Sequence, residues 1–277
     1  MVNDLVPYGL AAIFYAIAAF LASIHWVQRQ SRWGRWANYA LGVGAICHGV
    51  AVILRWTAHG GLPAFAPFES ISFFTWVMVV IYLAVQGFYG LRVLNIFVAP
   101  IALIFLALAL AFPYHSRPLP PVLQASWTEV FPIVHVVVSL AAYAFFTLAC
   151  VAAVVYLLQD RQLKAKSPHS LYQRLPSLEM AQHLCQVMVS AGFPALVVTM
   201  ITGAIWSNQA WGSPWLWEGK QGLSLVMLLI YVFYLHTRNI AGWPARRTAW
   251  LLIVGFVSVL VTFLGATLLA PGQHQFG

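Results

Sequence analysis

Four tryptophans, Trp206, Trp211, Trp215 and Trp217, lie within the segment WSNQAWGSPWLWEGK (206–220), out of twelve in the whole chain. A membrane-interface belt places one Trp or Tyr at a helix end, because an amphipathic ring sits well at headgroup depth. Four in one stretch exceed that need. They make a broad aromatic floor suited to a ligand that is flat, apolar and larger than a side chain. Nine histidines share the chain with this floor, and an ionisable side chain in or beside a bilayer is costly enough to be kept for a purpose.

His135, Ser139, Tyr143 and Thr147 recur every four residues, a polar stripe on one helical face that is expected to turn inward. Alone, the stripe reads equally well as a set of interhelical hydrogen bonds. His274, in APGQHQFG, reads alone as an ordinary surface histidine. Together they suggest more: two neutral imidazoles on opposite faces of a flat aromatic ligand are what six-coordinate haem iron needs. A zinc site would require a third and fourth ligand that this pattern does not supply. No nucleophile or proton-transfer pair is evident, so no catalytic side chain is assigned.

Membrane spans must position these residues. With 62% hydrophobic and 7% charged residues and a mean hydropathy of +0.83, the chain lies far from the roughly 25% charged composition of soluble domains. Runs long enough to cross roughly 30 Å of hydrocarbon, about 20 residues each, fall near 5–27, 37–57, 69–91, 94–112, 131–158, 182–206, 221–237 and 248–270. They predict an all-α integral membrane protein, a bundle of about eight transmembrane helices forming one domain over 1–277. The tryptophan-rich loop 206–220 joins the sixth and seventh spans, and only a turn around Gly90 to Asn95 separates the third and fourth.

Lys and Arg favour the cytoplasmic side of short loops. The connections after spans one, three, five and seven hold eleven of the fourteen basic residues, leaving Arg55, Arg117 and Lys220 on the other side. Both termini and the tryptophan loop are therefore expected outside. The +8 net charge is then a topology signal that needs no nucleic acid. MVND lacks the basic start of a signal peptide, so the first span is expected to remain as an anchor. Cys47, Cys150 and Cys185 form neither CxxC nor the CxxCH haem-attachment motif, and read as small packing residues.

In this topology His59, His115, His135 and His274 lie toward the outside, His25, His169, His183 and His236 toward the cytoplasm, and His48 near mid-membrane. His236, in FYLHTR beside Arg238, reads either as a snorkelling interfacial residue or as an inner haem ligand whose mate is His48 or comes from another protein.

These residues resemble a known family. The segments GAIWSNQAWGSPWLW, IYVFYLHTR and GWPARRTAWLLIVGFVSVLVTFLGATLLAPGQHQFG are similar to the CcsA (ResC) type of cytochrome c assembly protein, in the haem-handling superfamily that includes CcmC and CcmF. SWTEVFPIVHVVVSLAAYAFF resembles the segment bearing that family's first external histidine, and APFESISFF resembles its NLYES segment. The resemblance implies that His135 and His274 are the external haem-ligating pair. It also implies that Trp206, Trp211, Gly212, Trp215 and Trp217 form the haem-binding segment and that His236 is the membrane histidine. The second membrane histidine would then come from a CcsB (ResB) partner, with His48 as the other candidate.

The implied function is to carry haem b to the external face and present it to the CxxCH segment of apocytochrome c, with thioether synthesis as a further possibility. Arg55, Arg117 and Lys220 are candidates for its propionates. The chain departs from the family after Trp217, where WDPKE becomes Trp217-Glu218-Gly219-Lys220-Gln221. Loss of the Asp cap and N1 Pro loosens the helix start by about 1 kcal/mol, although Gln221 can close part of a capping box. That departure suits the alternative of a haem-binding regulator or accessory subunit like HemX or YpjD. A transporter is a third class, but no internal inverted repeat supports it.

Overall fold

Eight helices long and apolar enough to cross a membrane lie among the described residues, in agreement with the hydropathy pattern. The structure is a computed structural model and describes residues 5–28, 30–59, 62–64, 66–112, 130–165, 175–217 and 219–265. In chain order the helices are α1 (Leu5–Gln28), α2 (Ser31–His59), α3 (Pro67–Tyr89), α4 (Asn95–Leu110), α5 (Val130–Lys164), α6 (Leu178–Trp211), α7 (Gly219–Asn239) and α8 (Ala245–Leu260). A 3-10 turn, Arg92–Leu94, leads into α4, and a π turn, Val261–Gly265, continues α8. The helices divide into two compact units, residues 1–115 with 165–176 and residues 116–164 with 177–277.

Local chemistry sets the helix ends that hydropathy blurs. Pro67 occupies the first turn of α3 and Glu69 Oε2 accepts from the Ala66 N–H at 3.3 Å, satisfying one of the orphan donors of a helix start. Ser177 Oγ accepts from the Met180 N–H at 3.2 Å to open α6. Helices α5 and α6 reach 35 and 34 residues. They overrun their apolar runs because helical hydrogen bonding continues through polar residues such as Asp160, whose carboxylate holds Lys164 at 2.8 Å.

The first unit buries polar side chains in pairs. Arg55 Nε donates to Glu69 Oε1 at 3.0 Å with both side chains nearly sealed from solvent, and its guanidinium lies 4.9 Å from the centre of the Phe68 ring. Asn95 Nδ2 donates to Asn38 Oδ1 at 2.8 Å, and the Tyr82 hydroxyl donates to the same oxygen at 3.3 Å. Tyr8, Tyr15, Phe68 and Phe74 are buried in the same unit. Outward-facing Ile13, Phe20, Ile53 and Ile104 are exposed, as expected of side chains whose solvent is lipid.

In the second unit, α5 is the most enclosed span, with 67% of its apolar window buried. Phe146 of α5 stacks on Tyr231 of α7 with ring centres 3.6 Å apart, and Tyr143 meets Phe263 at 5.7 Å.

Removing one partner of a buried ion pair strands the other charge, at a cost of about 3–5 kcal/mol. Glu69→Ala is therefore expected to lower the stability of the first unit by that amount, while the double variant Arg55→Met/Glu69→Leu recovers most of it. Unfolding titrations in detergent micelles measure both. A wild-type midpoint for Glu69→Ala would contradict the pairing.

Candidate functional site

His135 of α5 faces α6. Its Nδ1 lies 2.9 Å from the Thr199 carbonyl oxygen. A carbonyl only accepts, so Nδ1 carries the proton and donates, and in the neutral imidazole the lone pair resides on Nε2. A ring oriented through one nitrogen in this way is prepared to ligate metal through the other. The approach has a steric condition: a Cβ at position 203 would stand 2.7 Å from His135 Cε1 and 2.8 Å from Nδ1. Gly203 supplies the room. One turn further on, the buried Trp206 ring lies 5.8 Å from the His135 ring, and Trp211 lies 5.9 Å from Trp206.

Trp206 and Trp211 belong to the last turns of α6, whereas the sequence ends the sixth span, and begins the loop, at residue 206. The helix ends only at Gly212, whose φ of +72° is the left-handed conformation that caps it, with the Gly212 N–H donating to the Asn208 carbonyl at 2.9 Å. The connection then folds back on the helix. Ser207 Oγ donates to the Ser213 carbonyl at 2.7 Å, and Ser213 Oγ donates to the Trp215 carbonyl at 2.9 Å. The Leu216 N–H donates to Gln221 Oε1 at 2.6 Å, so Gln221 reaches back as expected but to a residue further upstream. Trp215 and Trp217 meet edge to face at 5.8 Å. Trp217 is 84% exposed, whereas Trp215 Nε1 is buried without an acceptor among the described residues.

Below His135 the stripe is buried as expected, yet its hydroxyls turn back on their own helix. Ser139 Oγ donates to the Val136 carbonyl at 2.9 Å and Thr147 Oγ1 to the Tyr143 carbonyl at 2.8 Å. Such local bonds satisfy a hydroxyl in an apolar setting without a second helix.

Residues 65–274 match the model of the family described as cytochrome C assembly protein. The chain belongs to that family. It is 31% identical to the cytochrome c biogenesis protein CcsA of Mesostigma viride over 82% of each chain. It is 30% identical to CcsA of a Synechococcus strain over 97% of this chain and 95% of that one. Among solved structures it is similar to the cytochrome c haem lyase CcmF, with a TM-score of 0.70 at 14% identity, covering 94% of this chain and 46% of that one. The likeness to CcmF shows a shared fold.

The sequence-predicted site residues of this family member separate in the structure. His135, Trp206, Trp211, Gly212, Trp215 and Trp217 all lie in the second unit, as does His236. His236 sits on the exposed face of α7, and its carbonyl accepts from the Ile240 and Ala241 N–H groups at the helix end. His48 lies in the first unit and is fully buried. Its Nε2 is 2.8 Å from Ser72 Oγ and its Nδ1 is 3.2 Å from the Tyr15 hydroxyl. Arg55, a propionate candidate, is the buried partner of Glu69, and Lys220 is half-buried near the start of α7. His274, Arg117 and Glu218 lie outside the described residues.

Sequence reasoning did not single out Thr199 or Gly203. The former acts through its backbone, which no residue type advertises, but a glycine inside a helix costs about 1 kcal/mol relative to alanine and thereby signals close approach. A small cleft lies between α5, α6, α7 and α8, lined by Tyr156, Gln182, Tyr234 and Arg238 among others.

Any residue with a Cβ at position 212 must hold the left-handed conformation at a cost of about 1–2 kcal/mol. Gly212→Val is therefore expected to lower stability by that amount and to shift tryptophan emission as the loop detaches from α6. Unchanged emission together with an unchanged unfolding midpoint would contradict the capping role.

Proposed function

We propose that this membrane protein of cytochrome c maturation takes up haem b at the face bearing most of its basic residues and presents it at the opposite face to apocytochrome c. His135 carries the reading: its Nδ1–H is committed to the Thr199 carbonyl, so the neutral ring has its lone pair on Nε2, and the ring lies 5.8 Å from the buried Trp206 indole. The relationship to CcsA over most of the chain favours haem handling in maturation over a regulator of the HemX or YpjD kind.

In this reading His135 and His274 would hold the iron of the presented haem. Trp206, Trp211, Trp215 and Trp217 hold the macrocycle, and Gly212 sets where the helix yields to the loop that carries two of them. The buried Trp215 Nε1–H is a donor suited to a propionate carboxylate. The haem contributes two vinyl groups. A thiol of the CxxCH segment adds across each, sulfur bonding one vinyl carbon and hydrogen the other, with nothing released. The protein contributes orientation, because holding thiol and vinyl together makes a bimolecular addition effectively unimolecular.

His236 is the inner ligand. Its exposed position on α7 suits a second imidazole brought by a CcsB (ResB)-like partner. His48 could replace that partner histidine only by giving up its bond to Ser72 or Tyr15. The bias of eleven among fourteen basic residues supports both termini and the 206–220 segment lying outside.

The protein purified in detergent is expected to carry low-spin bis-histidine haem, lost in His135→Ala and in His274→Ala, and both variants are expected to fail to mature a co-expressed reporter cytochrome c. A colourless wild-type protein from haem-replete cells, or a His135→Ala variant with an unaltered spectrum, would refute the assignment. Gln209→Cys, introduced after replacing the native cysteines with alanine, is expected to react with an impermeant maleimide added to intact cells. Labelling only after lysis would reverse the topology.

A further inference from the structure

We infer that Gly203 and the Thr199 carbonyl form a positioning device for His135: the glycine admits the imidazole against α6, and the carbonyl fixes which nitrogen meets the iron and how strongly it donates. The inference rests on His135 being a haem ligand, as proposed above. The Thr199 carbonyl is a crowded acceptor. Helical geometry assigns it the N–H of residue 203, and two side chains compete for what remains. His135 Nδ1 approaches at 2.9 Å. The Thr202 hydroxyl approaches at 3.2 Å while making its shorter bond, 2.8 Å, to the Val198 carbonyl. Gly203 thus has two effects at one point: its N–H belongs to that carbonyl, and its missing side chain is the space the imidazole occupies.

A hydrogen bond from Nδ1–H to a carbonyl raises the basicity of the opposite nitrogen. A more basic ligand favours ferric over ferrous iron, so the strength of the His135–Thr199 bond sets the potential of the bound haem. Weakening the bond moves the potential up, and removing a competing donor moves it down. Gly203 and Thr199 are positioning residues, since both act through His135.

These signs give a test with two opposed arms. Gly203→Ala places a methyl group where the ring now lies and is expected to cause loss of haem or, where haem is retained, a more positive midpoint potential. Thr202→Val keeps the side-chain volume, removes the competing hydroxyl and is expected to shift the potential to more negative values. Gly222→Ala on α7, where an added Cβ meets nothing within 4 Å, is expected to match wild type. A purely structural role for residue 203 would lower yield without moving the potential in opposite directions in the two variants.

The haem-free protein provides a separate readout. With ¹⁵N-labelled histidine, His135 signals assigned by their disappearance in His135→Gln are expected to show the Nδ1–H tautomer in wild type and a mixture of tautomers in Gly203→Ala. Wild-type tautomer and wild-type potential in both Gly203→Ala and Thr202→Val would overturn the inference while leaving His135 as a ligand. A wild-type protein that never binds haem would instead overturn the ligand assignment, with the tautomer still deciding how the ring is held. If Gly203→Ala does not accumulate, the Thr202→Val shift and the wild-type tautomer decide the matter.

Discussion

Hydrocarbon offers no hydrogen-bond partner, so each polar group carried into the bilayer must find one within the protein or stay unpaired at a cost of several kcal/mol. That constraint organises the buried polar side chains of both units. Arg55 and Glu69 neutralise each other across α2 and α3, Asn38, Tyr82 and Asn95 share one amide oxygen, and Ser139, Thr147 and Thr237 return their hydroxyls to the preceding helical turn. His135 obeys the same rule, and in doing so its ring acquires a fixed tautomer. Under the proposed haem-ligand role, the preparation of the ligand is a by-product of satisfying a donor.

Comparison with His48 shows how much surroundings decide. Both residues are helical histidines in apolar neighbourhoods, yet His48 has hydroxyls at both nitrogens and aromatic rings from Tyr8 and Tyr15 around it. Such a histidine cements helices α1, α2 and α3 into one unit. His135 stands near the N-terminal end of its helix, half-buried, against a glycine and an indole, with a main-chain carbonyl at Nδ1. Residue type alone nominated both positions, and the partner atoms separate them.

Hydropathy made the eight spans legible because it measures the length that must be kept from water. It said little about where helices stop, since that depends on caps and backbone conformations at the interface. Hydropathy therefore ends the sixth span near residue 206, although the left-handed turn that ends α6 comes only at Gly212, which brings Trp211 into the helix. Four-residue spacing revealed the His135 to Thr147 stripe and its burial, but not that two of its hydroxyls would be served from their own helix. The acceptor for His135 is a main-chain oxygen and its berth a missing side chain, so neither has a letter of its own in the sequence. The tryptophan cluster and His135 were visible because side-chain identity itself carries their chemistry.

Helix α5 adds a consequence for how the site meets different membranes. Its 35 residues extend about 52 Å at 1.5 Å each, against a hydrocarbon thickness of about 30 Å. A lipid-facing helix of such length answers hydrophobic mismatch by tilting or by distorting its surroundings. This one is sheathed mainly by protein, with 67% of its apolar window buried against 28% for α1 and 17% for α7. Acyl-chain length thus acts first on the peripheral helices, and the depth of the His135 imidazole is a property of the bundle more than of the bilayer that hosts it.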